Sequence, residues 1–291
     1  MKYLSLIIIN ILLVNGTLFS QNLEEYAGAI KLSDSAIITY KVFFEINQSK
    51  VTGYTLTDLG GEHETKSNLV GFYDTNNNKL SFKETGIVYT KSIITQNDFC
   101  YIHFSPVNYK AGKTTYFKGT FKGMFNDGQQ CIDGEIFLNS VEKINSRMEK
   151  ITKKVNRSNR INDSIKDKFN NLKLMENLNL NMLKADRILS VFSEDKTINL
   201  ELYDGGQEDG DVISIKVNGI LVLDNFKITT KRKMIPITLS NNKTSIEIIA
   251  KTVGTISTNT AVIEINDSKN NIRALTNLKA GETTKIDILK R

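Results

Sequence analysis

The sequence predicts a mainly β protein: an N-terminal up-and-down, barrel-like β domain, a helical linker, and a C-terminal immunoglobulin-like β-sandwich. Three observations carry that prediction. Apolar and polar side chains alternate with a period near two through residues 21–140 and again through 186–291. Between 141 and 185 the apolar spacing changes to alternating fours and threes, and neither Gly nor Pro occurs there. Apolar types make up 40% of the 291 residues, enough for a packed core and too many for a disordered chain.

The chain opens as a secretory signal peptide, residues 1–20. Lys2 precedes an apolar run, Leu4 to Val14, broken only by Ser5 and Asn10. A basic start, a short apolar stretch and a small residue before the cut form the signal pattern, with cleavage expected between Ser20 and Gln21. A bilayer span needs about 20 apolar residues, so no transmembrane segment is expected in the mature chain. An exported protein is expected, in the periplasm or at the cell surface.

Residues 21–140 read as strands joined by polar turns. Tyr40, Val42, Phe44 and Ile46 alternate with Thr39, Lys41, Phe43 and Glu45, and similar runs cover 68–73, 79–83, 87–94, 98–104, 114–122 and 130–138. Residues 74–78, Glu84-Thr85-Gly86 and Asn126-Asp127-Gly128 carry turn chemistry at hairpin spacing. Gly119 and Gly123 sit at strand positions that mark a bend or bulge. About eight to ten strands in meander order favour an up-and-down barrel, with a two-sheet sandwich as the alternative.

Export bears on the two cysteines. In an oxidising compartment Cys100 and Cys131 are expected to form a disulfide. Closing a loop of about 30 residues would stabilise the fold by roughly 3–4 kcal/mol on chain-entropy grounds. His103 lies three residues from Cys100, so on a strand the two face opposite ways and form no thiol–imidazole pair.

Residues 141–185 form the basic helical linker, with 11 basic against 5 acidic side chains. Ile144, Met148, Ile151 and Val155 make an apolar stripe that Ile165, Phe169 and Leu172 resume. Ser158 and Asn162 interrupt it, so either one long helix of coiled-coil spacing or two helices meeting near Ser158 is expected. The basic side chains spread around the helix and only Phe169 is aromatic, which argues against nucleic acid. The partners that fit this segment are envelope polysaccharide, lipid headgroups or a protein. In residues 186–291, Ile198, Leu200 and Leu202 alternate with polar neighbours, Asn218-Gly219 offers a tight hairpin, and further short runs follow. About seven to nine short strands suit an immunoglobulin-like sandwich, here without the Cys and Trp of antibody domains.

Two loops concentrate chemistry. Asp204, Glu208, Asp209 and Asp211 crowd a Gly-rich turn, and several carboxylates converging on one hard cation would suit calcium, the one cofactor the sequence suggests. The spacing lacks the closing Glu of an EF-hand, and a plain solvated turn explains the same residues. If the carboxylates repel one another without calcium, replacing Asp209 and Asp211 by Asn would leave the calcium-free chain equally or more stable. The second loop, Glu62-His63-Glu64 after Gly60-Gly61, places a base or ligand beside carboxylates. Neighbours on an extended chain point apart, so both carboxylates reach His63 only through a special turn. No nucleophile elbow, zinc-protease helix, phosphate loop or dinucleotide fingerprint occurs, and two His with two Cys leave little for a metal cluster.

The run 53–73 around Gly60-Gly61-Glu62-His63-Glu64-Thr65-Lys66-Ser67, with Phe99-Cys100 and Asn126-Asp127-Gly128…Cys131, resembles exported Bacteroidota (flavobacterial-type) proteins of unassigned function. The run 203–219, with its Asp209-Gly210-Asp211 core, resembles a segment of secreted or surface proteins of the same bacteria. The resemblance implies export and carries no activity, so it transfers no catalytic residue. The function expected is therefore a non-enzymatic binding or envelope-associated protein. Two alternatives compete: a lipocalin-like carrier using the barrel, and a hydrolase using the His63 loop. The barrel interior discriminates between them.

Overall fold

The computed structural model describes residues 22–93, 96–170, 181–205, 208–240, 242–255 and 258–291. The expected signal peptide lies outside the described residues.

Eight antiparallel strands close the N-terminal barrel: β1 (Asn22–Leu32), β2 (Ile37–Asn47), β3 (Lys50–Thr57), β4 (Thr65–Asp74), β5 (Lys79–Thr90), β6 (Tyr101–Asn108), β7 (Tyr116–Met124) and β8 (Gln130–Ser140). Each pairs with its neighbours in sequence, and β1 with β8 closes the ring, so the expected up-and-down order is the one observed. β1 is the strand that periodicity did not single out: its middle, Glu25-Tyr26-Ala27-Gly28, carries few apolar side chains, and its partners on both sides define it.

Strands of alternating direction gather the connections after β1, β3, β5 and β7 at one end, the mouth. At the opposite end aromatic rings pack together beside an open depression of about 500 Å³ that Tyr109 and Thr114 line. There the Tyr26 ring lies 4.9 Å from Phe117 and 6.0 Å from Phe44, and its hydroxyl donates to the Thr114 carbonyl at 2.7 Å. Tyr26, Phe44, Tyr73, Phe82, Phe104 and Tyr109 fill the barrel inside, all buried.

Glu84-Thr85-Gly86, expected as a hairpin turn, is instead a bulge within continuous β5. Leu69 pairs with Glu84 and Asn68 with Gly86, leaving Thr85 as the extra residue. A bulge and a turn use the same residue types, and pairing to β4 on both sides of the tripeptide decides the matter. Beyond the bulge β5 changes allegiance. Lys79–Lys83 pair with β6, whereas Tyr89 and Thr90 pair with β10 (Ile188–Ser193) of the C-terminal half.

The two-helix alternative holds for the middle segment: α1 (Val141–Arg157) and α2 (Asp163–Asn170) break near Ser158. The Ser140 hydroxyl accepts from the Lys143 N–H at 3.3 Å and caps α1. Asn162 caps α2 by accepting from the Ile165 N–H at 3.0 Å. Of α1 only Val141 is buried. Asn181–Lys184, placed by sequence in the helical linker, form a strand, β9. A parallel edge on β17 (Asn271–Asn277) captures them, and no helical period could announce that partner.

The remaining strands are β11 (Thr197–Asp204), β12 (Val212–Val217), β13 (Ile220–Lys227), β14 (Lys233–Thr238), β15 (Lys243–Thr252), β16 (Ala261–Asn266) and β18 (Thr283–Lys290). The order β13-β12-β15-β18-β10 continues through β5 into the barrel sheet, while β14-β11-β16-β17-β9 forms a second sheet. Asn218-Gly219 makes the expected hairpin between β12 and β13, both with positive φ. One apolar cluster lies between the two sheets, and Leu56, Val88 and Tyr89 of the barrel strands belong to it.

Candidate ligand pocket at the barrel mouth

The bulge in β5 sets the site. Leu80, Phe82 and Glu84 fall on the inward side of the strand, so a carboxylate follows two apolar side chains into the barrel. Ladder pairing between β5 and β6 ends at Lys83 and His103. The next N–H on β6, that of Ile102, donates to Glu84 Oε2 at 2.9 Å in place of a ladder bond. The Thr55 and Tyr40 hydroxyls donate to Oε1 at 2.5 and 3.1 Å. Glu84 is 3% exposed, and burial raises its pKa above the ordinary 4.5 against the pull of these three donors. No Lys, Arg or His among the described residues forms an ion pair with it.

Above Glu84 a cleft of about 220 Å³ opens between the strand ends. Ile30, Leu32, Ile38, Ile102 and Ile132 supply aliphatic wall, and Phe99 and Phe121 supply aromatic wall. The polar lining is Thr57, Glu84 and Asp98; none of the described lining residues is basic. A larger depression, about 420 Å³ beside Phe72 and His103, lies on the outer wall and is widely open. Burial and Lys83 lower the His103 pKa, so this imidazole is held toward its neutral form.

The Cys100–Cys131 disulfide borders the cleft, with Cα atoms 6.1 Å apart. It joins the start of β6 to β8 across the intervening β7. The residue beneath it is Gly123, where an added Cβ would lie 2.4 Å from Cys100 Sγ and from the Ile132 carbonyl oxygen. The register also shifts there, between Lys122 and Met124. Gly119 has a different cause: its Cβ would lie 2.5 Å from Val107 and 2.9 Å from the Phe104 ring.

The Glu62-His63-Glu64 loop does not converge. Glu62 is exposed and accepts from Arg187 at 2.5 Å. His63 is exposed, with Nδ1 3.2 Å from the Ser92 hydroxyl. Glu64 is buried, accepting from the Gly60 N–H at 2.6 Å and the Tyr89 hydroxyl at 2.9 Å, with Lys91 Nζ at 3.5 Å. These three residues join the loop to three different neighbours.

The acidic turn is tied to adjacent loops. Asp211, 2% exposed, accepts from the Gly254 N–H at 2.8 Å and the Thr260 N–H at 2.7 Å. Burial raises its pKa, the two backbone donors lower it, and Asp209 and Asp204 raise it again. Glu208 accepts from both the N–H and hydroxyl of Thr230 at 2.7 and 2.9 Å. Asp209 Oδ1 accepts weakly from the Asp211 N–H at 3.3 Å. Among the described residues no group of three or more His, Cys, Asp or Glu is arranged to hold a metal ion. Replacing Asp209 and Asp211 by Asn would therefore also remove the carboxylate that bonds two backbone N–H groups.

Sequence reasoning missed Glu84 because its tripeptide reads as a turn. The signal was nevertheless present: Leu80, Phe82 and Glu84 share one face at period two, and a carboxylate on an apolar face needs a reason. No family model matches this chain, and comparison with the curated proteins and with the solved structures gives no significant match.

Proposed function

We propose that this protein is an exported, non-enzymatic binding protein that holds a small, largely apolar molecule in the barrel mouth, in the manner of a lipocalin-like carrier. The observation that carries the reading is the cleft of about 220 Å³, walled by Ile and Phe, above the aromatic side chains that fill the barrel. Its volume corresponds to about seven water molecules, small beside the common range of ligand pockets, so the occupant is small. The hydrolase alternative lacks support, because Glu62, His63 and Glu64 face different partners. Export draws support from the apolar amino-terminal run and the disulfide. The two sheets of the C-terminal half, with one apolar cluster between them, support a sandwich of immunoglobulin-like architecture.

Indole titrated into the mature chain tests the proposal by protein-detected NMR. The expected result is saturable shifts confined to Ile30, Ile38, Ile102 and Ile132, abolished by Ile132→Trp, which fills the cleft. Saturable shifts elsewhere, or none at millimolar indole, would overturn it.

A further inference from the structure

We propose that the cleft selects a small hydrophobic amine, bound as its ammonium cation against Glu84. This rests on the preceding reading of the cleft as a ligand site and names the class of ligand.

The lining has one sign of charge. Glu84 and Asp98 are its two ionisable groups among the described residues, and both are carboxylates. Glu84 is buried, receives three hydrogen bonds and has no ion-pair partner. Its three hydrogen-bond donors are neutral, and such donors solvate negative charge without cancelling it. Buried charges are ordinarily paired, because desolvation is costly. In the unliganded chain Glu84 meets that cost by holding its proton more tightly, and a cation that arrives from outside would pair its ionised form.

Acceptor capacity remains. An ionised carboxylate offers about four lone-pair sites, and the protein occupies three of them at Glu84. Oε2 takes a single donor, the Ile102 N–H, and Ile102 itself lines the cleft. An ammonium placed there gains a charge-assisted bond. Phe99 and Phe121 add aromatic lining, a side-chain type whose ring face attracts cations, and Ile30, Leu32, Ile38 and Ile132 supply wall for a hydrocarbon body. Asp98 is exposed at the rim. The volume suits an amine of roughly the size of phenethylamine.

Calorimetry with three probes of one shape tests this: 2-phenylethylamine, 2-phenylethanol and phenylacetate, each titrated into the full mature chain. The amine is expected to bind at least tenfold more tightly than the alcohol, and phenylacetate not at all. Glu84→Gln should bring amine and alcohol to within about twofold of each other by weakening the amine alone, as expected when a charge-assisted bond is lost. Should that variant fail to fold, the ranking of the three probes in the unaltered protein still decides the class. The carboxyl carbon of Glu84, followed by NMR in the unaltered protein, should move toward its ionised position as the amine is added. Alcohol binding equal to or tighter than amine binding would overturn the amine class while leaving the cleft as a ligand site. Failure of all three probes, together with failure of indole, would remove the site itself.

Discussion

Glu84 stands where the β5–β6 ladder stops, and its carboxylate serves the Ile102 N–H that the ladder leaves over. Its burial has a consequence for pH. The folded chain holds the Glu84 proton more tightly than the unfolded chain, whose carboxyl titrates at its ordinary 4.5. The resulting stability is complete below that pH and is lost as pH rises through the higher folded value. Tyr40, which faces Glu84, stays neutral throughout, because burial and that carboxylate push its phenol well above the usual range. Thermal melts from pH 4 to 8 should therefore fall with pH more steeply for the native chain than for Glu84→Gln. Parallel curves would mean that Glu84 titrates alike in both states. Gly123 is the second residue whose identity is dictated by contact. Gly123→Ala should cost about 1–3 kcal/mol in denaturant melts, because a methyl group must displace the disulfide or the Ile132 carbonyl. The sequence marked this glycine as a strand irregularity, and the crossing disulfide supplies the reason.

Elements show what local pattern can and cannot announce. Ser158 and Asn162 interrupt the apolar stripe, and the helix does break there because Asn162 begins a second helix with its own cap. Ser140→Ala should lower stability by about 1 kcal/mol through loss of the α1 cap, measured by chemical denaturation. The acidic turn was legible as an accumulation of carboxylates and illegible as a clasp. Its loop partners, Gly254 and Thr260, lie over forty residues away in sequence. Asp211→Asn should destabilise the calcium-free protein by about 1–3 kcal/mol, since an amide nitrogen would face a backbone N–H. A melting temperature unchanged by that substitution would argue that these bonds contribute nothing net. Glu84-Thr85-Gly86 makes the same point for strands, because turn and bulge share a vocabulary and differ only in their partners.

At the scale of the molecule, β5 couples the two halves. Its first residues close the barrel, and its last pair with β10, so the apolar cluster between the C-terminal sheets takes in Leu56, Val88 and Tyr89. Arg291 donates to the Ile87 carbonyl and ties the end of the chain to the same strand. A mutation at this seam should be felt on both sides. Leu56→Ala should cost about 2–5 kcal/mol and lower hydrogen-exchange protection in both β3 and β15. Loss confined to β3 would show that barrel and C-terminal sheets unfold separately.

The sequence by itself determined the strand-rich character, the up-and-down order of the barrel, the helical interruption and the pairing of Cys100 with Cys131. These follow from signals between neighbours, such as side chains two apart on a strand, turn residues at hairpin spacing, or two cysteines with no other choice. The tertiary structure alone decided that Glu84 enters the barrel, that β5 serves two sheets, that Asn181–Lys184 form a strand and that Glu62, His63 and Glu64 part company. Each depends on a backbone partner distant in sequence. A period of two says which side chains share a face; only the partner strand determines whether that face looks into a core, a cleft or water.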